Sequence, residues 1–263
     1  MERRSDMLYI VYIMAGLVGG ILIGMSGLTA AMVLTPILTG ICGWKGYDAT
    51  TMSLLANIPS AIVTSYTYYK NGNVDIRRSK TVSMSAFIGA VAGSWMGYLF
   101  SRVSEGGISY LVIAGNLGMA YKFLHPAKDK KGTAKEEQRT DEMRKTALAL
   151  LLSFLIGAEC GFMGSAGGMI MLMVLTLVLG MNTREAVGSG SVVMTLVALT
   201  GAVSHLMMGA VIDPLPAAVI TISCTVGAVS SAKLANRISE KQMSRCAGVV
   251  LLLVSIVSLL LNH

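Results

Sequence analysis

"GFMGSAGG" occupies residues 161–168, in the middle of an apolar stretch that runs from about residue 146 to residue 180. Gly161, Gly164, Gly167 and Gly168 fall within it, and each glycine costs ~1 kcal/mol against alanine in a helix interior. As one straight helix the stretch would be about 52 Å long, against a hydrocarbon core of ~30 Å. The glycines sit near the middle of this excess. A break there is therefore the reading to test against the rest of the chain.

The surroundings are those of an integral membrane protein. Of 263 residues, 54% are hydrophobic and 13% charged, with a mean hydropathy of +0.66; soluble domains carry about 25% charged residues. Twenty-nine Gly and 19 Met suit close helix packing in lipid. The net charge of +7 does not point to nucleic acid. Eight of the 21 Lys and Arg lie between Lys122 and Lys145, and most others cluster in short loops, which is topogenic charge. Cys42, Cys160, Cys224 and Cys246 show no paired spacing and read as free thiols. No HExxH, no P-loop and no His pair at haem spacing occurs, so a membrane metalloprotease or a primary pump has no support. No enzyme activity, metal or cofactor is expected.

The long stretch has a copy. "GILIGMSGLTAAMVLTPIL" (20–38) parallels "CGFMGSAGGMIMLMVLTLVL" (160–179), with Gly24 falling on Gly164 and Gly27 on Gly167 at an offset of 140. "WKGYDAT" (44–50) parallels "MNTREAV" (181–187), "NGNVD" (71–75) parallels "MGAVID" (208–213), and "GAVAGSWMG" (89–97) parallels "GAVSSAKLA" (227–235). The offset stays within 137–140. Internal duplication is frequent in transporters. It also argues against cleavage of the N-terminus, although Arg3, Arg4 and the apolar run from Met7 imitate a signal peptide. The chain divides into a first repeat (1–124), a charged cytoplasmic linker (125–145) and a second repeat (146–263). Apolar segments fall at about 8–41, 48–69, 81–100, 107–124, 146–180, 186–207, 215–235 and 246–261.

Loop charge sets the orientation. Lys70, Arg77, Arg78 and Lys80 follow the second segment of the first half, and the matching loop of the second half has no Lys or Arg. After the third segments the bias reverses: Arg102 alone in the first half, Lys233, Arg237, Lys241 and Arg245 in the second. The positive-inside rule places 70–80, 122–145 and 233–245 in the cytoplasm. The halves are then inverted copies, and 8–41 and 146–180 are re-entrant hairpins. Arg3 and Arg4 would lie outside, against the rule. The alternative, parallel repeats with broken full spans, satisfies the N-terminus but exports the charges of 233–245.

The glycine-rich break in each half, "REAVGSGS" (184–191), the G-x-V-D-like turns and "GAVSSAKLANRI" (227–238) resemble the sulfite exporter TauE/SafE family, also called the toluene sulfonate uptake permease family. The resemblance covers nearly the whole chain. It implies a multi-pass inner-membrane permease for small anions, often sulfur oxyanions or organosulfonates. The breaks differ from the family's usual triple glycine, and Gly188-Ser189-Gly190-Ser191 replaces its common Gly-Thr-Ser.

A hairpin tip in lipid strands backbone N–H groups, each costing several kcal/mol unless paired. Half-helices starting at Gly27–Thr29 and Gly167–Met169 would point those groups, and a partial positive charge, at the midplane, where an oxyanion satisfies them. The expected substrate site is Gly24, Ser26, Gly27, Gly164, Ser165, Gly167 and Gly168. Thr51, Ser53, Ser189 and Ser191 line the same cavity or bond back within their own helices. Asn57 faces protein or water, because its amide is costly in lipid, and either lines the same substrate cavity or makes a structural bond. Glu159 is an acid deep in an apolar segment, which suggests proton coupling. His205, the mate of Tyr68, reads as an interfacial hydrogen-bonding residue. Asn182 and Glu185 read as a capping box.

These readings amount to an all-helical secondary transporter of small anions working by alternating access, in the lipid bilayer of the inner membrane and able to form homo-oligomers. A passive anion channel would use the same tips without alternating access. A membrane scaffold or assembly partner would need no anion site at all. Trans-stimulation separates carrier from channel.

Overall fold

The computed structural model describes residues 2–104, 107–124, 140–164, 167–235 and 240–261. Most of the linker, and Ser165, lie outside them. All regular structure in the described residues is helical: α1 (Glu2–Ser26), α2 (Ala31–Gly40), α3 (Gly46–Lys70), α4 (Ile76–Ser101), α5 (Gly107–Leu124), α6 (Thr140–Met163), α7 (Gly167–Met173), α8 (Thr183–Met207), α9 (Pro214–Ala235) and α10 (Glu240–Leu261). A π-helical turn, Val174–Val178, extends α7.

Among the described residues, Met7–Ser26, Ile76–Ser101, Met143–Met163, Thr183–Met207 and Pro214–Ala235 are long and apolar enough to cross a membrane. The sequence reading also makes α3 a span. It is as long as α8, but it carries Thr50, Thr51, Ser53, Asn57, Ser60 and Thr64, all buried inside the protein. A helix in the middle of a bundle faces protein rather than lipid, so its polar residues lower its hydropathy without exposing them to hydrocarbon.

Small residues set the packing. α1 runs parallel to α9, and Gly16, Gly20 and Gly24 face it; a Cβ at Gly20 would overlap the Cys224 carbonyl oxygen. α4 runs parallel to α6, and Gly89 and Gly93 would in the same way overlap the carbonyls of Phe154 and Ala158. Only glycine lets the two backbones approach so closely, which is the small-xxx-small mode of membrane helices. The first helix of each half thus lies along the fourth helix of the other half, which is its third long apolar segment. α3 and α8 are antiparallel between these pairs: the start of α3 meets the end of α8 where Thr51 bonds His205, and the start of α8 meets the end of α3 where Gly188 abuts Tyr68.

α5 and α10 pair with each other and lie beside α2. Pro36 has no N–H to give the Met32 carbonyl four residues back. Asn116 of α5 fills that vacancy, its Nδ2 donating to Met32 O at 2.6 Å. A helix kept irregular by proline is therefore tied to its neighbour through the freed carbonyl.

Candidate functional site

Both long stretches break at a glycine. Gly27 has φ +68° and Gly164 φ +70°, a left-handed conformation that side chains other than glycine rarely adopt. Each ends its helix with the same bond: the Gly27 N–H donates to Ile23 O at 2.9 Å and the Gly164 N–H to Cys160 O at 2.7 Å. In backbone conformation Gly27 matches Gly164, 137 residues further on, rather than Gly167, the residue it aligns with in the sequence.

The break in the first half is also longer than expected. α2 starts at Ala31 with Ala30 as its N-cap, not at Gly27–Thr29. Asn57 explains the position. Its Oδ1 accepts the Ala30 N–H at 3.3 Å, supplying one of the acceptors that a helix start lacks. In the second half α7 starts at Gly167, as expected.

The two breaks touch. A Cβ at Gly168 would overlap the Gly27 carbonyl oxygen and lie 2.9 Å from Leu28 Cα. One at Gly164 would lie 3.4 Å from Ala31 Cβ and 3.0 Å from the Thr50 methyl. Gly27 faces Val187 of α8 at 3.5 Å, so each break also rests on the first turns of the central helix from the other half. Gly167 faces Ile156 and Cys160 of α6.

The remaining expected residues separate. Gly24 lies in the α1–α9 crossing, and its carbonyl accepts from the Tyr68 hydroxyl at 3.4 Å. Ser26, Thr51, Ser53 and Ser191 each donate to a carbonyl four residues back, at 2.8 Å. Ser53 also meets the Thr35 hydroxyl of α2 at 3.2 Å. Ser189 accepts the Asp75 N–H at 2.9 Å, where the turn after α3 closes over α8. Glu159 is partly buried near the end of α6. Asn182 caps α8 by accepting the Glu185 N–H at 2.9 Å, and Glu185 Oε2 reaches the Asn182 amide rather than its backbone.

His205 is fully buried among its neighbours. Its ring stacks on Tyr47 with centroids 4.3 Å apart, and its Nε2 meets Gly161 O at 2.8 Å. Tyr68 and His205, mates in the sequence, thus each bond the carbonyl of a glycine three residues before a break. Thr50 was not singled out in the sequence. It is fully buried, and its hydroxyl has no hydrogen-bond partner among the described residues. Nothing in a Thr-Thr-Met-Ser string distinguishes it from Thr51; its place beside Gly164 does.

Long apolar helices, glycine crossings and polar interior residues define a multi-pass helical membrane protein. The chain belongs to the sulfite exporter TauE/SafE family, whose model matches residues 12–258. It is 23% identical to the "Probable membrane transporter protein YunE" of Bacillus subtilis (strain 168), over 94% of this chain and 96% of the relative. No solved structure matches.

Proposed function

We propose that the chain is a secondary transporter of small anions, of the sulfur oxyanion or organosulfonate kind that its family suggests, and that the contacting breaks hold the anion. In this reading the halves are inverted copies and 8–41 and 146–180 are re-entrant hairpins. The observation that carries it is the pair of left-handed glycines, Gly27 and Gly164, in breaks that abut at Gly168. An anion there would accept from N–H groups of the tips and from the Thr50 hydroxyl. Access alternates as one half rocks on the other. Glu159 is the residue we assign to proton coupling.

Purified protein in liposomes tests this. Expected are uptake of labelled sulfite with trans-stimulation, loss of uptake in Gly168→Val, and loss of pH-gradient drive alone in Glu159→Gln. Uptake unaltered in a correctly inserted Gly168→Val would remove the site, and uptake without trans-stimulation would make the protein a channel.

A further inference from the structure

α3 and α8 begin at corresponding places, residue 45 and residue 182, but their first turns are finished differently. Asn182 caps α8 with its side chain. Lys45, the N-cap of α3, makes no side-chain cap bond. The acid of that first turn, Asp48, is turned away to accept the Val211 N–H at 2.9 Å. The N-terminus of a 25-residue helix, with its partial positive charge, is thus left without a capping side chain.

It opens on a cavity of about 410 Å³ whose lining includes Lys45, Tyr47, Asp48, Tyr98 and Arg102. Among the described residues that line it are two basic side chains, Lys45 and Arg102, and one carboxylate, Asp48, which already accepts a backbone N–H. The Arg102 guanidinium sits 5.7 Å from the Tyr98 ring centroid, and Tyr98 lies 6.2 Å from Tyr47. At ~30 Å³ per water, the volume holds a small oxyanion together with part of its hydration shell. Tyr47, in the lining, stacks on His205, which bonds the carbonyl of Gly161 just before the second break.

We propose that this cavity is a second anion-binding site, a vestibule in which Lys45, Arg102 and the uncapped start of α3 hold a hydrated small oxyanion before it passes the Tyr47–His205 stack. The ligand class rests on the anion-transport reading; the charge of the cavity does not. Ser101 also lines it and serves as a reporter.

In a background with Cys42→Ser and Cys246→Ser, Ser101→Cys is treated with an anionic and a cationic methanethiosulfonate reagent, each rate being divided by its rate with a free thiol. The anionic reagent should be favoured by about sevenfold, because one net unit charge at about 7 Å in water speeds one reagent and slows the other by about threefold each. Adding Arg102→Gln should abolish most of that preference. Equal corrected rates, or a preference untouched by Arg102→Gln, would overturn the proposal. Neither outcome requires transport. In liposomes at low salt, Arg102→Gln should raise KM for sulfite about threefold or more with kcat unchanged, and high salt should erase the difference. An unchanged KM in a transporting protein would sink the vestibule and leave the breaks standing. No uptake of any anion by the unaltered protein would sink the transport reading, and the reagent ratio would still decide the vestibule's charge.

Discussion

The hydroxyl of Thr51 lies 2.9 Å from Nδ1 of His205, joining the first turn of α3 to the last of α8. A carbonyl only accepts, so the proton on the ring is at Nε2, facing Gly161 O. Nδ1 of the neutral ring is then an acceptor. The single Thr51 proton serves either this nitrogen or Tyr47 O, which lies 2.8 Å away. Thr51→Val leaves Nδ1 without a donor and should cost about 1–3 kcal/mol, the penalty of a buried unsatisfied polar atom. Thr51→Ser should cost far less. His205→Phe retains the stack on Tyr47 and strands the Gly161 carbonyl. Unfolding of the single and double variants in detergent should give a coupling of about 0.5–3 kcal/mol. Strict additivity would show that the bond contributes nothing.

Left-handed glycines separate conformation from contact. Gly43 and Gly72 have φ +71° with open space around them, and Gly164 has φ +70° against the Thr50 methyl. Alanine at Gly43 or Gly72 carries only the backbone cost, roughly 1–2 kcal/mol, and uptake should persist. Alanine at Gly164 adds the crowding and should reduce uptake at equal protein in the membrane. Equal behaviour of all three would mean that the break is only a bend.

The two faces of the α3–α8 pair are not in the same state. At the α8 start, a Cβ on Gly188 would overlap the Asn73 carbonyl oxygen and lie 2.8 Å from Tyr68 Cβ. Asp75 bonds Ser189 beside it, and Arg78 Nη1 donates to Leu179 O at 3.1 Å. At the α3 start there is instead the 410 Å³ cavity. Gly188→Leu should hold the turn at 71–75 away from α8. In the Cys42→Ser, Cys246→Ser background, a cysteine at buried Ser191 should then react with a soluble thiol reagent at least tenfold faster. An unchanged rate would show that this contact is not a gate.

The membrane class and the Asn182 cap were legible because each rests on residue type in a fixed pattern. The partners of individual residues were not. His205 lies near a helix end, and nothing in the sequence shows that Tyr47, Thr51 and Gly161 enclose it. Ser26 reads as a donor to a ligand and Ser191 as either that or a bond within its own helix, and each donates to a carbonyl four residues back. The break register was illegible for a related reason. Gly24, Gly27, Gly164 and Gly167 are the same letter, whereas one pair serves helix crossing or packing and the other carries the positive φ.

Asn57 offers the sharpest test of what the first break faces. Its Oδ1 accepts the Ala30 N–H where α2 begins, and the side chain is buried. Asn57→Leu removes the acceptor and should destabilise the fold by about 1–3 kcal/mol. Asn57→Asp retains it, and a carboxylate beside a helix N-terminus is favourable in itself. If an anion occupies the breaks, that carboxylate repels it. Asn57→Asp should therefore insert and unfold much like the unaltered protein, while KM for sulfite rises at least tenfold. Unchanged uptake by a well-folded Asn57→Asp would place the anion elsewhere and leave Asn57 as a structural cap alone.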